Sequence, residues 1–380
     1  MKLFGAFKRL SGINAVNPIA EVGPPPVVPL VGSIFALGAN GQNQIADGSI
    51  SNKTSITASN ADSDWSVMAT GQFHSIAIKT DGTLWGRGNN SSRAAGGATS
   101  VDFAVWTQIG TGTDWRLVNC GRDFSYAIKT DGTIWGWGDS GSNRLGTVSS
   151  DTGTPTQIGT DSDWATVASG VSATMAIKTD GTIWGIGSGS GQKLGPDGVN
   201  RSVWTQIELD TDWSAVYAGA NANFFIALKT DGTLWGIGNN VSGQLGRTGA
   251  NAIGVWTQLG SDSDWETAAT GGVPTGAGHT VAIKSNGTLW GWGNNSSNQM
   301  GTGVFGATGV QIGTAANWDK VSAGDDFTVM LTDGGAIWGM GANASGELSG
   351  SGSESTPTLI NDSFTWLDLV AGESHNLFLR

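Results

Sequence analysis

One short theme constrains this chain more than anything else in it. KTDGTLWGRGNN at 79–90 returns as KTDGTIWGWGDS (129–140), KTDGTIWGIGSG (178–189), KTDGTLWGIGNN (229–240), KSNGTLWGWGNN (284–295) and LTDGGAIWGMGAN (331–343), and a worn copy, SIFALGANG, occupies 33–41. The aromatic centres Phe35, Trp85, Trp135, Trp184, Trp235, Trp290 and Trp338 are spaced by 50, 50, 49, 51, 55 and 48 residues. A second series, Trp65, Trp115, Trp164, Trp213, Trp265, Trp318 and Trp366, opens each unit and is again sevenfold. No helical periodicity of useful length follows residue 31, so one small unit recurs seven times along the chain.

Each unit reads as four strands, A to D. In the first they are expected at 66–70, 75–79, 83–87 and 105–109. The Thr-Asp-Gly-Thr between B and C has the chemistry of a tight hairpin. Four strands at a period near 50 describe a propeller blade. The fold class is therefore all-β, a seven-bladed β-propeller with four antiparallel strands per blade. The last unit ends at Arg380 after strands A (367–371) and B (376–379), and its missing C and D strands are available at 33–38 and about 53–57. The N- and C-terminal strands thus share the closing blade and leave no free sheet edge at that seam. Blade strands are covered on both faces, which explains apolar residues on both sides of strand C. Trp85 is expected to lie over bare glycine backbone of an adjacent blade, large against small.

Composition supports a packed body with few charges. The chain has 61 glycines and 18 tryptophans, and only 13% of its residues are charged. The net charge of −12 excludes broad electrostatic binding to nucleic acid. A lone Cys120 excludes an internal disulfide or a cysteine zinc cluster. No apolar run is long enough to span a membrane. Residues 1–31 stand apart from the propeller domain, 32–380. Leu3, Phe4, Phe7 and Leu10 sit at helix-like spacing among Lys2, Lys8 and Arg9, followed by the stiff VGPPPVVPLVG at 22–32. This reads as a docking peptide on a spacer, and without a recognisable signal peptide the protein is expected in the cytoplasm or in a particle assembled there.

Antiparallel strands sort the loops onto two faces. The B–C and D–A turns share a uniform acidic face, with Asp81, Asp131, Asp180, Asp231 and Asp333 and the pairs Asp62/Asp64, Asp161/Asp163, Asp210/Asp212 and Asp262/Asp264. These pairs fall short of a calcium loop and are read as turn closers. The A–B and C–D loops share the variable face, where binding usually resides. Its candidate contact residues are Phe73, His74, Arg122, Asp123, Phe124, Asn223, Phe224, Asp325, Asp326, Phe327, Glu373 and His375. His74, His279 and His375 occupy equivalent positions and read as structural hydrogen-bonding groups, with no metal or cofactor expected. No nucleophile elbow or catalytic constellation stands out, so the protein is expected not to be an enzyme.

The string G-x-x-H-S-x-A-I-K-x-D-G-T-L-W-G-x-G-N-N…G-Q-L-G resembles the regulator-of-chromosome-condensation repeat over residues 33–380. The resemblance implies a seven-bladed propeller whose closing blade is shared by both termini. The founding member of that family is a guanine-nucleotide exchange factor whose activity needs a projecting β-wedge. The largest A–B insertion here, 271–278, is short and glycine-rich, and no wedge is expected from it. The Asn-, Ser- and Thr-rich style is similar to bacterial and bacteriophage members. The leading expectation is a non-enzymatic virion component, anchored to other structural proteins through residues 1–31 and facing a host-surface protein or glycan. The alternatives are an intracellular protein-interaction module of the exchange-factor type and a glycan-binding propeller.

Overall fold

The computed structural model describes residues 30–380 apart from 46–47, 250, 304–305 and 351. Leu3, Phe4, Phe7 and Leu10 lie outside the described residues.

Seven four-stranded antiparallel sheets form, each ordered A-B-C-D in space. Blade 1 consists of Trp65–Thr70, His74–Lys79, Leu84–Gly88 and Phe103–Gln108. Blades 2 to 6 repeat it, with A strands starting at Trp115, Trp164, Trp213, Trp265 and Trp318. Blade 7 takes A (Asp368–Ala371) and B (His375–Leu379) from the end of the chain, and C (Ile34–Gly38) and D (Lys53–Ala58) from its beginning. The seam is a regular ladder in which Ile34 faces Leu379 and Gly38 faces His375. The two chain ends therefore close the circle, as the sequence spacing requires.

The B–C hairpin forms for a local reason that recurs. Gly82 has φ +78°, which an L side chain rarely adopts. Asp81 accepts hydrogen bonds at Oδ1 from Thr83 N (2.9 Å) and Thr83 Oγ1 (2.6 Å), and Thr83 Oγ1 accepts one from Trp85 Nε1 at 2.8 Å. The turn thereby fixes the tryptophan that follows it. The same relay runs from Trp135, Trp184, Trp235 and Trp290, with Asn286 replacing the aspartate in blade 5.

The core lies between blades. One cluster joins Tyr126, Ile128, Ile134, Leu145 and Ile158 of blade 2 to Trp164, Val167, Ala176 and Ile186 of blade 3. The other interfaces repeat this, one blade giving an aliphatic face and the next a tryptophan face. The structure corrects the expected partner of each strand-C tryptophan. Trp85 stands across from Ala77 in its own sheet, and Trp135, Trp184, Trp235 and Trp290 stand across from Ala127, Ala176, Ala227 and Ala282. The Trp85 ring meets Trp65 edge-on at 6.0 Å. The strand-C glycines are filled from their own blade. A Cβ on Gly136 would stand 3.0 Å from Leu145 and 3.3 Å from Ile158. The leucine of each GQLG-type loop is thus the plug for the glycine of its own unit. Large does meet small, but within one blade, because side chains on one strand face pack first on their cross-strand neighbours.

A second set of glycines surrounds the axis. A Cβ on Gly71 would lie 2.7 Å from the Gly121 carbonyl oxygen, one on Gly121 2.8 Å from that of Gly170, and one on Gly170 2.6 Å from that of Ala222. Gly324 stands in the same way against Gly372 (2.8 Å), and Gly372 against Gly71 (2.7 Å). These A–B turns touch backbone to backbone, which no side chain would permit.

Candidate functional site: the axial mouth on the loop face

The two faces differ in how their charges are used. On the B–C/D–A face, Lys79 Nζ lies 2.9 Å from Asp62, 3.1 Å from Asp64 and 4.9 Å from the ring centroids of both Trp65 and Trp85. Lys178, Lys229 and Lys284 sit in equivalent cages of two aspartates and two indoles. The Asp-x-Asp pairs therefore close turns and also hold a lysine ammonium above a tryptophan pair. That face is occupied by its own architecture.

On the loop face, the structure divides the residues singled out from sequence. His74, Phe124, Phe224, Phe327 and His375 are at most 2% exposed and offer no contact surface. Each follows the glycine turn of its blade and packs into the ring. His74 lies directly beneath Gly71, and Phe124 beneath Gly121. The histidines bond across blade boundaries: His74 Nε2 to Ser125 Oγ at 2.9 Å, His279 Nε2 to Thr328 Oγ1 at 3.3 Å, and His375 Nε2 to Ser75 Oγ at 3.1 Å. Burial pushes all three imidazoles down to about 3. They are neutral hydrogen-bonding groups in the wall of the ring.

Phe73, Arg122, Asp123, Asn223, Asp325, Asp326 and Glu373 remain half-buried around the axis. Arg122 Nε donates to Gln72 Oε1 at 2.9 Å and lies 3.4 Å from Asp123. Across the mouth, Asn221 Nδ2 of blade 4 reaches both Asp325 oxygens of blade 6 (3.2 and 3.1 Å) and Glu373 Oε2 of blade 7 (2.8 Å). Burial, reinforced by the charge of Glu373, pushes the Asp325 carboxyl up to about 8. Burial also raises Asp123 and Asp326. Below the mouth, Ala69, Thr70, Asn119, Cys120, Gly219, Ala323 and Val370 line a small axial cavity of about 20 Å³, room for a water molecule. Among the described residues no group of three or more His, Cys, Asp or Glu is placed to hold a metal. No described helix is long and apolar enough to cross a membrane.

Two elements of this site are not among the candidate contact residues, although one of them is the 271–278 insertion that the sequence already shows. Asn221 is one, although its signal is visible: nine residues separate the opening tryptophan from the start of strand B in most units, but eleven do so from Trp213 to Phe224. The fourteen-residue spacing from Trp265 to His279 marks the other. There strands A (Trp265–Gly272) and B (Gly278–Lys284) of blade 5 run on as a hairpin, with Val273 N bonded to Ala277 O. Its exposed tip, Pro274 and Thr275, rises on the loop face and is braced by Asn223 Nδ2 donating to Pro274 O at 2.6 Å and Gln244 Nε2 donating to Gly276 O at 2.8 Å.

Fold and site together define a closed seven-bladed propeller with one structural face and one face carrying an acidic axial mouth. Comparison with known proteins narrows the class. Family models described as the Regulator of chromosome condensation (RCC1) repeat match residues 67–93, 115–144, 215–244, 275–299 and 318–347, and a second RCC1 repeat model matches 131–177. These segments, which lie in blades 1 to 6, are similar to the RCC1 repeat. A search of curated proteins gave no significant match. Human WBSCR16 shares the fold with a TM-score of 0.81 at 18% identity, over 92% of this chain and 98% of that one. Yeast RCC1 (Prp20) bound to Kap60 gives 0.79 at 16% identity, over 100% and 94%. Saccharomyces cerevisiae Prp20p, whose structure is described with its binding properties to Gsp1p and histones, gives 0.77 at 16% identity, over 95% and 92%. At these identities the likeness establishes the fold. The expected bacteriophage role gains no support from these comparisons.

Proposed function

We propose that this chain is a protein-interaction module of the RCC1 exchange-factor type, which receives its partner on the loop face over the axial mouth. One observation carries the reading. Asp123, Asp326 and Glu373 are gathered half-buried around the axis beside Asp325, whose carboxyl is raised, with Arg122 as the nearby cation of the A–B turns, whereas on the opposite face the Asp-x-Asp carboxylates are held by caged lysines. Uncompensated carboxylates at a concave centre select a basic partner surface and speed its encounter. The braced hairpin at 271–278 supplies a short projecting element beside that centre. The related Prp20p has described binding to Gsp1p, so Gsp1p loaded with a fluorescent guanine nucleotide is the first probe.

Accelerated nucleotide release, lost on reversing Asp326→Arg and Glu373→Arg together, is the expected outcome. Binding without acceleration removes the exchange activity and keeps the module. Release and binding both indifferent to the double reversal would overturn the reading. Histones serve as a second basic probe on the same variants.

A further inference from the structure

We propose that Asn221, Asp325 and Glu373 form a proton-dependent latch across the propeller axis, whichever partner the loop face receives. A single amide nitrogen from blade 4 is within 2.8–3.2 Å of three carboxylate oxygens from blades 6 and 7. That amide has two N–H groups and cannot satisfy two full negative charges. The Asp325 amide N is itself bonded to Glu373 O at 3.3 Å, so the two acidic residues cannot drift apart without breaking a backbone contact. Two carboxylates held this close do not both ionise without strong mutual repulsion. With a proton on Asp325, one charge remains and the bar stays in place.

The surroundings do little to relieve the second charge. Asp326, adjoining Asp325, adds negative charge. Arg122 is the cation that faces the pair, and it is engaged with Gln72 and Asp123. The A–B links of blades 3, 4 and 5 (170–172, 218–223 and 271–278) contain no titratable side chain, and that of blade 1 contributes only Gln72 and Phe73. Burial and the Glu373 charge hold the Asp325 proton to about pH 8. Above that, the proton leaves to solvent, the two carboxylate side chains turn away from each other while the backbone contact holds, and Asn221 swings clear. Ala218, Gly219 and Ala220, immediately before Asn221, line the axial cavity, so the withdrawal uncovers it.

Cys120 lines the same cavity and is the only cysteine, which makes it a built-in reporter. The test measures its labelling by a small neutral thiol reagent in the full chain. Comparing variants at one pH cancels the thiolate fraction. At pH 9, Cys120 of the unmodified protein should react severalfold faster than that of Asp325→Asn, which keeps the acceptor but not the charge. At pH 6 the two rates should agree, and Asn221→Ala should be fast at both pH values. Glu373→Gln removes the other charge and should protect Cys120 at pH 9 as Asp325→Asn does, so it stands in if the latter fails to fold. Equal rates at pH 9 in the unmodified protein and in the folded variant would overturn the latch.

Discussion

The two faces of this ring are made from the same seven units and use their carboxylates in opposite ways. On the B–C/D–A face, Asp81, Asp131 and Asp231 accept hydrogen bonds from the threonine two residues on, and those bonds hold their carboxyls below the usual range. On the loop face, burial and a neighbouring acid hold Asp325 far above it. One face commits its charge to its own turns and lysines. The other keeps charge in an unfavourable setting that a ligand or a proton relieves. Perturbed carboxylates of the second kind mark functional sites more often than those of the first.

Several measurements sharpen or break this contrast. The largest effect should come from the axial glycines, which serve neither face and hold both. Gly121→Val would drive a side chain into the Gly170 carbonyl and the Phe124 ring, whereas a Cβ on Gly41 would meet nothing within 4 Å, so its valine variant is a fair control. Overpacking of this kind costs about 1–3 kcal/mol or more. A drop in Tm for Gly121→Val well beyond that for Gly41→Val is expected, and equal Tm values would show that the turns have room to move.

Next in size are the lysine cages. Lys79→Met should lose about 1–2 kcal/mol, since it removes a cation held by two indoles and two carboxylates. The aspartates are nearly half exposed, which limits the effect. Lys129→Met should lose less. Gly112 replaces the first aspartate of the pair in blade 2, and Lys129 is left with Asp114 at 3.2 Å. Denaturant melts of the two variants decide the order.

The pH response separates the faces by sign. A carboxyl with a lowered native pKa stabilises the fold above its unfolded value, and that stability is lost as pH falls through the native value. Asp81, Asp131 and Asp231 therefore weaken the ring only in acid. A carboxyl with a raised native pKa gives stability that is complete below its unfolded value and is lost as pH rises through the native one. Asp325 should make Tm decline from about pH 4 to about pH 8. Asp325→Asn should flatten that limb and leave the acid limb untouched. The smallest effect on stability is expected for Asp326→Arg, about 0.5 kcal/mol or less, as for other partly exposed sites.

The fold was legible because its unit is a local rule written seven times. Trp-Gly-x-Gly, Asp-Gly and the opening tryptophan each set a strand or a turn, and their spacing alone required a ring closed by Ile34–Gly38 on His375–Leu379. One compensation is written in the same units. Blades 1, 3 and 4 carry an extra tryptophan on strand D (Trp106, Trp204, Trp256), while blades 2 and 5 carry it on strand C (Trp137, Trp292) and have Pro155 or Gly309 opposite. Two of these show the common outcome, packing on the strand-A tryptophan: Trp65–Trp106 at 4.9 Å and Trp265–Trp292 at 5.2 Å.

The site was less legible. A turn residue equivalent in seven units looks equally exposed in all of them, yet His74, Phe124 and Phe327 fold under their glycines while Asp123 and Asp326, one position before the phenylalanines, stay at the surface. Asn221 meets Asp325 and Glu373 only because a circle brings blades 4, 6 and 7 around one axis, a contact between residues 104 and 152 positions apart that no local pattern encodes.

The central claim is that partner contact belongs to the loop face and that the opposite face is scaffold. Titration calorimetry with Gsp1p tests it most directly, on Asp326→Arg and Asp131→Arg side by side, both folded. The account predicts binding lost in the first and unchanged in the second. Binding lost in Asp131→Arg and retained in Asp326→Arg would contradict it.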